Sequence, residues 1–452
     1  MFINREKELQ TLQNEYKKDG FSFSILYGRR RVGKTTLIKE YIKDKDAIYF
    51  LVTLESKPVV LKKFQTVVAE YFEDEFLKDA TLKDMAHLFG YIASKKYDKK
   101  LIIIIDEFQY LAKIESSMPS QFQYIVDEIL NSQSIHLILC GSIISMMYEQ
   151  TLSYNSPLYG RRTSAIKLEA LEFKYLQHFF KDKTEVELIE LYSVLYGVPK
   201  YLEMFQDTDN IFDSIEKNIL STHAYLYDEP RYILQNEVNE PLTYFSILEV
   251  IASGEHKLGH IASKLGKNVQ NITSFISKLI ELDIIYKDVP ITEKNPQKSK
   301  KGLYFIKDNF FRFWFLYVLP YKSQLEIGNS AYVRKKLTEN FAGYVAKTYE
   351  DLAIGYTLRE FGVLKCGRWW SKDEEIDVVG VAEKFLVVGE CKYSNKKVGT
   401  DILKSLQDKA KKIELKLPIK YYLLFSKSGF TEALISLAKN DKSVVLVENC
   451  FC

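Results

Sequence analysis

The chain has 452 residues, which at roughly 150 residues per domain corresponds to about three domains. Its 46% of hydrophobic and 27% of charged residues exclude a collagen-like, a disordered or a disulfide-dominated protein. The 63 basic and 60 acidic residues leave a net charge of +3, which neither requires nor excludes nucleic acid as a partner.

The sequence predicts a cytoplasmic protein without a membrane span. Its most apolar stretch, residues 303–320, contains Lys307, Asp308 and Arg312, so no window of about 18 uninterrupted apolar residues exists. Residues 1–6 lack the apolar segment of a signal peptide. Five cysteines, none in a CxxC or Cys/His cluster, favour a reducing compartment over structural zinc.

Up to about residue 165, short apolar runs alternate with patterns of helical spacing. The runs cover residues 23–27, 47–52, 101–105 and 136–140. They are β-branched and continuously apolar, as in parallel strands covered by helices on both faces. This pattern predicts a doubly wound α/β domain.

The rest of the chain divides into four further predicted segments. Helical periodicity predominates in residues 166–240, which we interpret as a helical lid. Residues 241–309 give three short helices and two apolar runs around a basic stretch, which is typical of a winged helix-turn-helix. Residues 310–337 form a helical connector, and residues 338–452 form a last α/β domain.

The strongest motif is a GxxxxGK[ST] sequence between an apolar run ending at Tyr27 and a helical pattern beginning at Thr36. Its residues are Gly28, Arg29, Arg30, Arg31, Val32, Gly33, Lys34 and Thr35. Such a turn directs backbone N–H groups at phosphates. Lys34 is expected on the β- and γ-phosphates of ATP and the Thr35 hydroxyl on Mg²⁺, with Thr36 completing the nucleotide site.

Polar residues after later strands extend this predicted site. Asp106 would hold Mg²⁺ and Glu107 would polarise the attacking water, although an acidic strand end can also simply face solvent. Ser142 is either a sensor of the γ-phosphate or a helix N-cap. Arg161 is either an arginine finger or a solvated, ion-paired side chain.

The predicted winged helix has a polar outer face. The last of its three helices turns Asn268, Gln270, Asn271, Thr273, Ser274 and Lys278 outward, and the wing carries Lys294, Lys298, Lys300 and Lys301. Amides and hydroxyls can bind base edges, and lysines can bind phosphates. Many winged helices bind proteins instead, so DNA and protein both remain candidate partners.

The last domain carries an Asp followed by Glu-x-Lys on the next predicted strand. Asp377 and Glu390 would hold a second divalent metal, Lys392 would orient water, and Glu350 on the preceding helix could add a ligand. In a hairpin without a metal, Glu390 and Lys392 would instead be a surface ion pair.

The combined motifs resemble the archaeal-type ATPase family, within the AAA+/STAND group of P-loop NTPases. They are residues 4–9, 27–35, 105–111, 159–161 and 197–202. The resemblance implies that Arg5 and Glu6 lie near the adenine and that the lid motif at 197–202 closes over the nucleotide. The C-terminal region resembles DUF234 and the PD-(D/E)xK nucleases, although Ile376 stands where that motif has proline.

The sequence therefore predicts an ATPase that couples its nucleotide state to DNA binding and to metal-dependent DNA cleavage. The alternative is a regulatory ATPase whose C-terminal domain binds nucleic acid or protein without catalysis. The sequence leaves open whether the chain forms a homo-oligomer.

Overall fold

The computed structural model describes residues 2–206, 210–372, 374–449 and 451. The chain forms two compact units, Met1–Ala170 and Leu171–Cys452. The five-segment division given above is finer than these two units and stays a prediction.

A five-stranded parallel sheet forms the centre of the first unit. Its strands are β1 (Ser22–Tyr27), β2 (Ala47–Leu51), β3 (Leu101–Asp106), β4 (Ile135–Gly141) and β5 (Ser164–Lys167). Their spatial order is β2-β3-β4-β1-β5. Every residue of β3 and β4 is buried, as expected for central parallel strands. The α/β fold predicted for this region is confirmed.

Helices cover both faces of this sheet. They are α1 (Glu6–Lys17), α2 (Lys34–Ile42), α3 (Lys57–Phe72), α4 (Glu75–Asp79), α5 (Met85–Ser94), α6 (Gln109–Ile114), α7 (Met118–Tyr124) and α8 (Ile144–Met147), with π-helical turns at Ile125–Leu130 and Tyr148–Leu152. Alternate strand residues pack into two apolar cores, one on each face. Because of this arrangement, the loops after β1, β3 and β4 meet at one edge of the sheet.

The second unit begins with helices and a winged helix. The helices are α9 (Glu185–Leu195), α10 (Pro199–Glu203), α11 (Ile211–Ile215), α12 (Glu229–Glu237), α13 (Pro241–Ala252), α14 (Leu258–Lys264) and α15 (Val269–Glu281), with a 3₁₀ turn at Phe173–His178 and a π-helical turn at Glu216–Leu220. The antiparallel wing consists of β6 (Ile285–Asp288) and β7 (Leu303–Ile306), separated by a 3₁₀ turn at Pro296–Lys298. In α15, Ile272, Ile276 and Leu279 are buried, as their spacing predicts.

The second unit ends in a mixed five-stranded sheet. Its order is β12 (Val444–Val447), β11 (Ile419–Ser426), β10 (Leu386–Lys392), β9 (Glu375–Val381) and β8 (Lys365–Trp370). The remaining helices are α16 (Asn309–Tyr317), α17 (Lys322–Glu326), α18 (Ser330–Glu360), α19 (Thr400–Ala410) and α20 (Glu432–Asn440), with a 3₁₀ turn at Leu319–Tyr321. The long helix α18 packs against β8, β9 and β10. In the part of the chain that the structure describes, no helix is long and apolar enough to cross a membrane.

A buried histidine makes the stability of the first unit depend on pH. The His136 ring bonds Ser24 Oγ through Nε2 at 2.7 Å and Tyr41 Oη through Nδ1 at 2.9 Å. Burial lowers the pKa of His136 to about 3, whereas an unfolded histidine titrates near pH 6.5. The unfolded chain therefore binds the extra proton between these values, and stability is lost as the pH falls below about 6.5.

We expect the free energy of unfolding to decrease as the pH is lowered from 6.5 to 4.5. The proton that His136 binds only in the unfolded chain should contribute about 1.4 kcal/mol of this decrease per pH unit. His136→Gln should remove that component, as measured by denaturant unfolding across the pH range. The exposed His87→Gln variant is the control and should keep the wild-type slope. An unchanged slope in His136→Gln would contradict the prediction.

Candidate nucleotide site and C-terminal carboxylates

The turn between β1 and α2 passes close to the backbone that follows β5. A side chain at Gly28 would overlap the carbonyl oxygen of Leu168, which follows β5. Gly33 has φ +99°, a left-handed conformation that favours glycine. Both glycines are therefore required by the shape of the turn, which ends at the first residue of α2.

Among the described residues, Lys34 is hydrogen-bonded through its ammonium group to backbone oxygens of this turn. Its Nζ donates to Gly28 O at 2.7 Å and to Arg29 O at 3.0 Å. Burial lowers the pKa of Lys34. No described carboxylate forms an ion pair with it, so its charge is available to an anion.

Thr35 and Asp106 bring together oxygen donors of the kind that Mg²⁺ prefers. Thr35 Oγ1 lies 3.5 Å from Asp106 Oδ2, and Tyr49 Oη donates to the same oxygen at 2.6 Å. Asp106 Oδ1 accepts from the backbone N–H of Glu107 at 2.9 Å. The hydroxyl and carboxylate predicted for the metal are therefore adjacent and fit it.

Glu107 is fixed at the end of β3 by polar neighbours. Its Oε2 accepts from Ser142 Oγ at 2.7 Å and from Gln109 Nε2. Ser142 is not a side-chain N-cap of α8, whose N-cap is Ile143. Ser142 therefore contacts Glu107 and does not cap α8, and its role as a sensor of the γ-phosphate stays a prediction. Tyr49 lacked a distinguishing sequence signal, because its partner Asp106 lies 57 positions away in the chain, whereas Gln109 contacts Glu107, which is only two positions away.

Arg161 and Arg30 have different hydrogen-bond partners. Arg161 is bound to Asp127, with Nη2–Oδ2 at 2.7 Å and Nε–Oδ1 at 2.8 Å, and this bond raises the pKa of Arg161. Arg30 Nη2 donates to Tyr110 Oη at 2.9 Å. The pairing of Arg161 matches the ion-paired alternative given above.

Arg5 joins the start of the chain to the phosphate-binding turn. It is buried, and its Nη2 donates to Val32 O at 3.1 Å and to Glu169 O at 2.6 Å. The family resemblance implied only that Arg5 lies near the adenine, and these carbonyl contacts were not predicted. Arg5 thus supports one wall of the turn.

In the second unit, Asp377 and Glu390 lie on neighbouring antiparallel strands, β9 and β10. Asp377 Oδ2 accepts from the Cys391 N–H at 2.8 Å. Lys392 Nζ pairs with Glu390 Oε1 at 2.8 Å, and Lys409 Nζ with Oε2 at 3.2 Å. The buried Glu390 carboxylate is therefore neutralised by two ammonium groups.

Glu350 is paired with an arginine. Arg368 Nη2 lies 3.1 Å from Glu350 Oε2 and 2.6 Å from Asp351 Oδ1, and Arg368 Nη1 lies 3.3 Å from Asp288 Oδ2. Burial, with repulsion from Glu350 and Glu390, raises the pKa of Asp377 to about 7. Glu350 and Asp377 line one cleft.

These C-terminal carboxylates do not fit a metal as they are arranged. Among the described residues, no group of three or more His, Cys, Asp or Glu side chains is suited to holding a metal ion. Glu390 and Glu350 already have cationic partners. The second metal predicted at Glu350, Asp377 and Glu390 is therefore not supported.

Comparison with known proteins gives one family match in each part of the chain. Residues 2–205 match an ATPase domain predominantly from Archaea, and residues 314–412 match DUF234, a family of archaeal and bacterial proteins of unknown function. An uncharacterized protein of Methanocaldococcus jannaschii is 36% identical over 439 residues, which cover 94% of this chain and 96% of that protein.

More distant relatives match part of the chain. An uncharacterized ATP-binding protein of Pyrococcus abyssi is 25% identical over 285 residues, covering 53% of this chain and 82% of that protein. The solved structure of a Walker-type ATPase of Pyrococcus abyssi has a TM-score of 0.52 at 19% identity, over 70% of this chain and 96% of that one. This last similarity concerns the fold alone. The chain belongs to the archaeal-type P-loop ATPase family and carries a C-terminal DUF234 domain.

Proposed function

We propose that the first unit binds ATP with Mg²⁺ and hydrolyses it. One observation carries the proposal: Lys34, Thr35, Asp106, Glu107 and Ser142, from three separate segments, converge at one edge of the parallel sheet. That edge is where ligands of open α/β sheets bind.

The residues divide into binding and hydrolytic roles. The N–H groups of residues 28–36 and the Lys34 ammonium would bind the phosphates, with Lys34 exchanging backbone carbonyls for phosphate oxygens. Thr35 and Asp106 would hold Mg²⁺, which offsets the negative charge that develops on the phosphates. Tyr49, by bonding Asp106, would keep that carboxylate oriented.

Glu107 would accept a hydrogen bond from the attacking water and orient it toward the γ-phosphate. Ser142 and Gln109 hold the Glu107 carboxylate in place. Arg161 is bound to Asp127 and would need to leave it before it could act as an arginine finger. Its pairing supports a structural role within one chain.

We further propose that the second unit binds nucleic acid in a manner regulated by the nucleotide state, without cutting it. The outer face of α15 leaves Asn268, Gln270, Asn271, Thr273 and Ser274 exposed. The ion pairs of Glu390 and Glu350 support the non-catalytic interpretation of the C-terminal domain. Metal-dependent cleavage is the second candidate, favoured by the order Asp377, Glu390, Lys392 on adjacent strands.

Lys34→Ala should weaken ATP binding by at least about tenfold, because it removes a charge-assisted bond to phosphate. Glu107→Gln should bind ATP like wild type but hydrolyse it about 10² to 10⁴ times more slowly, since only water activation is lost. Binding is measured by calorimetry with Mg²⁺, and turnover by phosphate release. Lys39→Ala, an exposed position on the same helix, is the control. Wild-type protein without affinity for ATP would overturn the proposal.

Circular and branched DNA should remain intact with wild-type protein in Mg²⁺ or Mn²⁺, with or without ATP, because the carboxylates are already paired with cations. Gel electrophoresis of the DNA measures this. Cleavage that is lost in both Asp377→Asn and Glu390→Gln, but kept in the exposed Asp408→Asn control, would contradict the expectation and establish the second candidate.

A further inference from the structure

Two adjoining clefts lie between the wing and strand β8 in the second unit. The first has a volume of about 770 Å³, and we call it the lysine cleft because its wall contains five lysines: Lys257, Lys287, Lys300, Lys301 and Lys372. The second, of about 580 Å³, contains Glu350 and Asp377, and we call it the carboxylate cleft. Both share Trp370, Ser371 and Lys372 in their walls.

The lysine cleft carries an uncompensated positive charge. No Asp or Glu is among its described lining residues. Lys301 pairs with Glu293 at 2.8 Å, and Lys287 donates to Ser299 O at 2.9 Å. Within residues 210–372 and 374–449, Lys257, Lys300 and Lys372 have no ion-pair partner. Three lysines from three separate chain segments therefore face one space with their charge available to an anion.

The walls of the cleft are fixed to each other by hydrogen bonds and an ion pair. Ile291 N donates to Arg368 O at 2.9 Å, and Lys365 Nζ donates to Ile291 O at 2.9 Å. Arg368 also pairs with Asp288 at the end of β6. These contacts join the wing to β8, so the two walls of the cleft are held at one spacing.

We propose that the lysine cleft binds a single polynucleotide strand, with phosphates on Lys257, Lys300 and Lys372 and an unpaired base against Trp370. This inference rests on the proposed binding of nucleic acid and names the part of the second unit that performs it. Lysines that follow a backbone beside an aromatic ring are the combination that binds single strands. Trp370 is half-buried and lines the lysine cleft.

The size and neighbours of the cleft select this ligand over a duplex. A volume of about 770 Å³ is within the range of small-ligand sites, about 300–1,000 Å³, and holds a few nucleotides rather than a double helix. A base can stack on a side chain only where it is unpaired. The carboxylate cleft is lined by acidic and basic side chains together, whereas no acid is among the described lining residues of the lysine cleft, so phosphates are favoured on the lysine side of Trp370.

The test measures binding of fluorescent oligonucleotides to the full chain by anisotropy, over a range of salt concentrations. The probes are oligodeoxythymidylate and oligouridylate of about 12 nucleotides, and a DNA duplex of the same length. The Lys257→Gln, Lys300→Gln, Lys372→Gln triple variant is compared with a control of equal charge, Lys335→Gln, Lys439→Gln, Lys442→Gln, at exposed positions elsewhere in the unit.

We expect wild type to bind single strands more tightly than the duplex. The triple variant should bind at least about tenfold more weakly, and its plot of log affinity against log salt should be shallower by about 2, at about 0.7 per lost phosphate contact. The control should bind like wild type. Trp370→Leu should weaken binding without changing the salt slope, because stacking on an aromatic ring does not release counterions.

Oligouridylate bound more tightly than oligodeoxythymidylate would identify RNA as the source of the strand, and the reverse would identify DNA. If wild type binds but the triple variant and the control bind equally, or if only the duplex binds, the cleft proposal is overturned while nucleic-acid binding stands. If wild type binds none of the probes, the proposed nucleic-acid function itself is wrong and the cleft proposal fails with it.

Discussion

The contact between Gly28 and the carbonyl of Leu168 determines the geometry of the first unit's functional edge. The turn can approach the end of β5 this closely only because residue 28 has no side chain. The approach sets where α2 begins, and hence where Lys34 and Thr35 lie relative to the carboxylates after β3. Arg5 supports the other side of the turn through Val32 O. The phosphate-binding turn is thus held by a close backbone approach on one side and by the Arg5 side chain on the other.

The two acidic sites of the chain differ in what surrounds them. At the nucleotide edge, Asp106 and Glu107 are held by neutral donors: Tyr49 for the first, Ser142 and Gln109 for the second. A cation can therefore approach them without displacing another charge. In the second unit, Glu390 is paired with two lysines and Glu350 with Arg368, so a metal would have to displace protein cations. The same residue types consequently favour metal binding in one place and disfavour it in the other.

The sequence was sufficient for features that depend on local pattern. Strands β1–β4, the phosphate-binding turn and the buried positions of α15 follow from apolar runs, glycine spacing and helical periodicity. Strand β5 was not predicted, because its four residues, Ser164–Lys167, are too short and too polar to give a strand signal. The Asp127–Arg161 and Glu390–Lys409 pairs were also beyond prediction, since they join residues 34 and 19 positions apart that only the folded backbone brings together.

The nucleotide site and the lysine cleft share one property: each contains lysines that have no carboxylate partner among the described residues. The chain holds nearly equal numbers of basic and acidic residues, 63 and 60, so cations without carboxylate partners are not required by composition. Among the described residues, Lys34 contacts only carbonyls, and Lys257, Lys300 and Lys372 share a cleft without any described acidic lining residue. Keeping several like charges together costs electrostatic free energy, which an anionic ligand recovers. A triphosphate and a polynucleotide present the same phosphate chemistry. A phosphate group would therefore offset the repulsion between positive charges both at the nucleotide site and in the lysine cleft. Lys392 and Lys409, in contrast, are already paired with the Glu390 carboxylate, so their charges need no anionic ligand.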